Sequence, residues 1–506
     1  MATGILATAL HAFPSPLYIP ISATVVVVVV VPAVLLLLKL HTDPLRHIPG
    51  PLIARLTPLW LWTLTHRGIE CRTLAALHSR HGPAVRIAPN EVDLSDGAAL
   101  YPLYAKNGGC AKNPVYANYD IDGFATIFSA VDPMQRAARA RAVVPLFAQR
   151  AIVEGRPTMQ AVVDAAVAEL GARRAVAHGA PIDVLDLFRC LAIDVVSLYL
   201  FGESFGGLGS KAPLAATPFV DAFAAGGRFF YVPGWLLRHV DHWAGKFEKG
   251  AGSIAASTAV VKEFAARVVD RSISGEKAGV AQTSTYQGRL LRAGISREET
   301  IAQVLDVIFA GTDGIAMTMS VLCWNLARLP DKYARARHEL LNNPSPLNGQ
   351  SLPYLTAIVK ESLRLSMANP TRLPRIVGAE GLHVPGLPTL PAGASVGLGA
   401  YVLHHDPAVF PQPREFMPER WLACTPEMLR NSIPFGVGAR MCIARNLAVA
   451  VLQWTAEALI RADVLGKNNN IHDGGVGDGV RGVVQDGIEI MEWFNAKVVA
   501  GKIEIY

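Results

Sequence analysis

Two things are scarce in this chain: cysteine and charge. The six cysteines, at 71, 110, 190, 323, 424 and 442, lie far apart and never form a C-x-x-C pair. That spacing excludes the usual zinc-finger ligand sets and makes a disulfide-stapled secreted domain a poor fit; a reducing, cytosol-facing setting fits better. Charged residues make up 17% of the 506 positions against 51% hydrophobic, the composition of a chain with a large core. The net charge of +6 is small for this length, and Lys and Arg never gather into dense runs, which argues against nucleic acid as a partner. No internal repeat or long low-complexity linker divides the chain. No G-x-G-x-x-G follows a strand, so a fused flavin or nicotinamide domain is not legible. One large domain behind an N-terminal appendage is the expected organisation.

That appendage lacks charge altogether: Met1 to Leu38 contains no Asp, Glu, Lys or Arg, and Leu17 to Leu38 is almost wholly apolar. About 20 such residues cross a hydrocarbon core as a single helix. The first basic residues, Lys39, Arg46 and Arg55, follow the span, which favours an uncleaved anchor over a signal peptide and leaves the body facing the cytosol. Residues 1–40 are therefore expected to be a membrane anchor. Residues 41–58, with Pro44, Pro49, Pro51 and Pro58, read as a stiff hinge, and 59–506 as the functional domain.

Within that domain the segment 83–96 alternates apolar and polar on both sides of Pro89-Asn90, which predicts a small hairpin. Apolar periodicity predicts helices around 151–202, 252–272, 296–329, 332–342, 350–366 and 442–462. The fold class expected is mainly α with minor β sheets. The aromatic segment 228–237, "RFFYVPGWLL", fits a substrate mouth, a bilayer contact or buried core.

The most specific signal is "PFGVGARMCIARNLAVAVLQW" (434–454), in which a glycine-punctuated loop delivers Cys442 to the start of a helical pattern. Backbone amides at a helix N-terminus favour a thiolate. Phe435, Gly436, Gly438, Arg440, Cys442 and Ala444 together resemble the cysteine-ligand loop of the cytochrome P450 family, F-G-x-G-x-R-x-C-x-G/A. A second match couples Glu361 and Arg364, three apart on one helix face, with Arg420 in "FMPERW"; in the family such a cluster braces the fold behind the haem. The resemblance also covers the proline hinge, residues 183–206 and 372–421, and it is weakest at 207–290 and 466–506.

The resemblance implies a P450 fold and a haem, iron protoporphyrin IX, with Cys442 as the metal's thiolate ligand. It implies that Arg440, Arg375 and His404 meet the propionates, that small Ala444 leaves room for the ring, and that Phe435 and Gly438 shape the loop. A further propionate contact comes from Arg136, Arg139 or Arg141 in "DPMQRAARARAVVPLF" (132–147), where the register leaves the choice open.

The pattern 295–330 is a long helix opened by Ser296 with Glu299 three residues on, a capping-box signature, and closed by Pro330. Its "AGTDG" is costly, since glycine is about 1 kcal/mol worse than alanine inside a helix. The family places a widened groove over the iron here, with pattern A-G-x-D/E-T. Ala310, Gly311 and Asp313 match, and Asp313 is the expected proton gate. Gly314 stands where the family has a threonine that helps deliver protons to dioxygen. Thr318 one turn on, Thr312, ordered water or a substrate hydroxyl are the alternatives.

The function implied is a monooxygenase acting on a small lipophilic substrate, in the style of fungal secondary metabolism. It would take electrons from NADPH through a separate membrane-bound reductase, the NADPH-cytochrome P450 reductase, in the endoplasmic reticulum membrane with its catalytic domain toward the cytosol. Same-fold isomerisation, dehydration, oxidative coupling or peroxide-dependent chemistry, and a non-catalytic haem-binding role, are the rival readings.

Overall fold

The computed structural model of the chain describes residues 31, 33–34, 41–177, 179–209, 214–237, 251–277, 284–343, 352–466, 483–484 and 487–505. The chain divides into two units, Met1–Pro49 and Gly50–Tyr506, and the candidate site lies in the second. The expected anchor at 1–40 falls almost wholly outside the described residues. Among the described residues one helix, Arg297–Arg328, is long and apolar enough to cross a membrane, and it is mostly buried inside the body.

Helix dominates, as the periodicity predicts. Early in the body α1 (Glu70–His81) leads into a hairpin of β1 (Ala84–Ala88) and β2 (Glu91–Leu94) that turns at Pro89-Asn90. After β3 (Ala111–Lys112) come α2 (Pro133–Val143) and α3 (Arg156–Ala177), then β4 (Ile182–Asp183) and α4 (Val184–Phe201). The apolar stretch 151–202 is thus broken. Asp183 ends β4 and accepts from the Leu185 N–H at 3.0 Å, capping α4. Next are α5 (Thr217–Gly226), α6 (Ala251–Lys277) and α7 (Arg297–Arg328), followed by α8 (Pro353–Ser366), β5 (Arg375–Ile376) and β6 (Ser395–Leu398). The chain closes with α9 (Arg445–Arg461) and the short strands β7 (Ile490–Met491), β8 (Lys497–Val498) and β9 (Glu504–Ile505).

One five-stranded sheet has the order β1-β2-β6-β5-β3, with β2 and β6 parallel. Its register sets Lys112 of β3 opposite Arg375 of β5. The last strand returns to pair β9 with β4, Ile505 opposite Ile182.

The core is organised around α7. Ser296 caps it, its Oγ accepting from the Glu299 N–H at 3.2 Å. The reciprocal half of the expected capping box is not formed, because the Glu299 carboxylate pairs with Arg139 of α2. α7 lies against α4 so closely that a Cβ on Gly311 would stand 2.9 Å from Val196 Cγ2. The aromatic segment 228–237 is split in character: Phe230 and Tyr231 are buried, whereas Trp235 is exposed.

Candidate active site

The cysteine loop turns on two glycines, one of which has no room for a side chain. Gly436 and Gly438 have φ of +70° and +75°, the left-handed region that suits glycine. A Cβ on Gly438 would lie 1.9 Å from the Tyr104 carbonyl oxygen, so the loop passes that backbone only because position 438 has no side chain. The Cys442 N–H donates to the Phe435 carbonyl at 2.9 Å and closes the loop. The Cys442 side chain has ample accessible surface, yet protein surrounds it deeply enough for burial to push its thiol up. Those two facts agree only if Cys442 lines a space inside the body. Ile443 and Ala444 beside it pack on the same apolar cluster as Phe309 and Ile315 of α7.

Thiolate formation was expected from the helix N-terminus. The Ala444 N–H and the Arg445 charge do pull the thiol down, but burial outweighs them. A cation at Sγ would reverse that balance.

A cluster of cations stands near this loop. Lys112, buried and held well below its ordinary pKa, is depressed first by burial and then by the charges of Arg375, Arg440 and Arg136. Arg440 is brought down to about 10 by burial and by the charges of Arg136 and Arg375. The carboxylates bearing on them are Asp306 for Lys112 and Asp132 for Arg440. Buried like charges need an anion, and a ligand carrying two carboxylates suits this arrangement. Arg440 also donates to the carbonyls of Ala130 at 2.6 Å and Val131 at 2.9 Å.

Of the three arginines of α2 named above, the geometry brings Arg136 into the cluster. Arg139 is paired with Glu299, and exposed Arg141 turns back on the Ala137 carbonyl. Lys112 was not singled out in the sequence, since a lone lysine in a two-residue strand carries no local signal.

His404 does not join this cluster. Its Nδ1–H donates to the Arg364 carbonyl at 3.1 Å and its Nε2 accepts from the Ile433 N–H at 2.9 Å, so neither ring nitrogen is left for a propionate. Burial and the Arg364 charge bring its pKa down to about 3 and hold it neutral. It works as a strut that ties the start of the cysteine loop to α8.

The brace behind the loop is the buried cluster the motifs suggest. The Glu361 carboxylate accepts from Arg364 at 2.7 and 2.9 Å, Arg420 at 3.1 Å, the Met417 N–H at 3.0 Å and the Trp421 indole at 2.8 Å. Trp421 extends the motif-derived set by one donor. A cavity of about 410 Å³ opens between α8, α9 and this loop, lined by Thr356, Lys360, Trp421, Phe435, Met441 and Arg445. Neither Cys442 nor α7 lines it, so it is separate from the space Cys442 faces.

On α7, Ala310, Gly311 and Gly314 keep accessible surface while Thr312 and Asp313 are buried. A Cβ on Gly314 would meet nothing within 4 Å, so that position borders open space. Gly311, expected to widen a groove, also serves a close contact with Val196. Thr318 Oγ1 donates to the Gly314 carbonyl at 2.9 Å and lies 3.2 Å from Ser366 Oγ, and Thr312 Oγ1 donates to the Ile308 carbonyl at 2.6 Å. Each hydroxyl is committed to its own helix backbone.

Asp313 is paired with Arg189 of α4 at 2.7 and 3.1 Å. Burial pushes its carboxyl up and Arg189 pulls it down, with a net rise. Arg189 was missed in the sequence, although a lone arginine in "LDLFRCLAIDVV" was the available signal.

Comparison with known proteins agrees with this geometry. A family model described as Cytochrome P450 matches residues 59–462. The chain is 35% identical to the cytochrome P450 monooxygenase mfmF of Annulohypoxylon moriforme, over 96% of this chain and 99% of that protein. It is 29% identical to the N-acetyltryptophan 6-hydroxylase ivoC of Emericella nidulans and 30% identical to the tryptophan 6-hydroxylase fscE of Fusarium equiseti, each over 84% of this chain and 86% of the relative.

Proposed function

The chain belongs to the cytochrome P450 family of monooxygenases, and on that premise we propose that Cys442 Sγ would hold the iron of a haem and that its substrate is a small lipophilic molecule carrying an aromatic ring. The observation that supports this most is Cys442 itself, accessible yet deep inside the protein on a loop that only Gly438 permits. When bound, the haem supplies the activation of dioxygen and the transfer of one oxygen atom to the substrate.

The chain's own residues do the rest. Lys112, Arg136, Arg375 and Arg440 would hold the two propionates, Ala444 and Ala310 would admit the ring, and Phe435 would wall the loop. The Asp313 carboxyl, pushed up by burial against the pull of Arg189, would take up and pass on a proton. With no side chain at 314 and with Thr312 and Thr318 tied to the backbone, the last proton carrier is water or a substrate hydroxyl lodged beside Gly314. Electrons come from NADPH through a separate reductase, at the endoplasmic reticulum membrane.

The substrate reading rests on an aromatic cluster. Phe223 of α5 stacks on Phe309 of α7 at 4.0 Å, and Phe128, Phe230 and Phe494 lie 5.5 to 5.9 Å from Tyr119. Phe128 and Phe223 are only half-buried; Lys112 Nζ sits 4.4 Å over the Phe128 ring, and the part of Phe223 not stacked on Phe309 is what a planar ring would meet. Two relatives bear names that make them hydroxylases of tryptophan or its N-acetyl derivative, and an indole or similar ring system suits such a lining.

The first test is the carbon monoxide difference spectrum of the reduced full-length protein beside Cys442→Ser. A strongly red-shifted Soret band in the parent alone is expected, and its absence from folded, haem-loaded parent would overturn the ligand assignment. Turnover should require both NADPH and reductase; product formed equally without them would favour same-fold isomerisation or dehydration.

A further inference from the structure

Asp313 does not stop at Arg189. The Arg189 Nη2 that lies 2.7 Å from Asp313 also lies 3.0 Å from Asp221 Oδ1 on α5, and Asp221 Oδ2 lies 3.3 Å from Lys497 Nζ on β8. Four alternating charges thus run from the central helix to the outside. The inner pair is the more buried, with side chains 10% exposed at Asp313 and 5% at Arg189, against 26% at Asp221 and 29% at Lys497. These three are the charges that bear on Asp313: Arg189 from α4, Asp221 from α5 and Lys497 from β8. The same helix α5 that carries Asp221 carries Phe223, whose ring stacks on Phe309 next to Ala310. A helix of ten residues moves as one piece, so whatever shifts Phe223 off α7 also shifts Asp221 off Arg189.

We propose that Asp221 and Lys497 are positioning residues that tie the proton affinity of Asp313 to the seating of α5 on α7. This rests on the reading of Asp313 as the acid that passes the proton. With α5 seated, Arg189 is divided between two carboxylates and Asp313 keeps its proton more readily. With α5 lifted, Arg189 belongs to Asp313 alone, and the carboxyl gives up its proton more readily. Proton supply is therefore greatest when the aromatic wall is closed over the substrate, and lowest when the wall is open to solvent. A single guanidinium shared by two carboxylates on different helices is the link through which such coupling would act.

The test follows the carboxyl stretch of Asp313 by infrared spectroscopy in the haem-loaded full chain labelled with 13C-aspartate, the band being assigned by its loss in Asp313→Asn. Because both carboxylates touch one Arg189 nitrogen, removing the Asp221 charge should lower the titration midpoint by roughly one pH unit. Lys497→Met, which frees Asp221 to draw on Arg189, should raise it. A merely structural role would move both variants the same way or neither, and either result overturns the proposal. Phe223→Ala should speed amide exchange over 217–226 and lower the midpoint as Asp221→Asn does. Unchanged exchange, or exchange that quickens with no shift in the midpoint, overturns the link to seating. None of these readings needs turnover, so a parent lacking the thiolate spectrum would fail the proposed function separately from this coupling.

Discussion

Gly311 and Gly314 stand three apart on α7, and the structure gives them opposite tolerances for a methyl group. At 314 a Cβ enters open space, so Gly314→Ala adds only helix propensity and should stabilise the fold by about 0.8–1 kcal/mol. At 311 the new Cβ would stand 2.9 and 3.0 Å from the two Val196 methyls, on a pair of helices with little room to part. Overpacking of that kind costs about 1–3 kcal/mol, partly offset by the same propensity gain of about 1 kcal/mol. Gly311→Ala should thus lie roughly 1–3 kcal/mol below Gly314→Ala, most of the gap coming from the clash. Urea denaturation of the two variants and the parent, followed by tryptophan fluorescence, measures the gap directly. Equal stabilities, or a more stable Gly311→Ala, would refute the claim that Gly311 is there for the contact with α4.

Three other outcomes follow from the buried charges. Glu361→Ala removes the acceptor shared by two arginines, an indole and a backbone N–H, and should cost about 3–5 kcal/mol in denaturation experiments; near-parental stability would show that the brace is dispensable. Glu70 of α1, fully buried, is pushed up to about 7 by burial, against the hydrogen bonds of Thr65 and Tyr231. The folded protein therefore holds a proton there that the unfolded chain releases near 4.5, and the associated stability is full below about 4.5 and lost as pH rises through about 7. Glu70→Gln should accordingly gain on the parent by roughly 2–3 kcal/mol between pH 5 and pH 8, and a flat difference across that range would contradict the buried-acid reading. Arg136→Ala should speed haem loss to a scavenger globin by about tenfold or more, whereas Arg141→Ala should leave it unchanged. Equal loss in the two variants would remove Arg136 from the cradle.

What was legible in the sequence is what local chemistry decides. The span of α7 follows from Ser296 at its start and Pro330 after its end, and the Pro89-Asn90 hairpin from strict alternation. The cysteine loop follows from glycines whose positive φ no motif-free reading would have placed so closely. The cationic cradle was only half legible, because residues 112, 136, 375 and 440 meet through the register of β3 on β5 and the packing of α2, neither of which has a local cause. His404 shows a different limit: its place in a motif says nothing about which groups its two nitrogens have already taken. The break at β4 was invisible because its partner β9 lies at the far end of the chain.

Arg364 and Arg420 grip the stretch between α8 and the cysteine loop almost entirely by main-chain oxygens, those of His404, Pro411, Gln412, Pro413 and Glu415. A carbonyl oxygen is the same atom whatever side chain its residue carries. The stretch can therefore drift in amino-acid identity over evolutionary time while its path in space is conserved. Residues of other elements, Phe223 of α5 and Phe309 of α7 among them, can then change without disturbing the scaffold that presents Cys442.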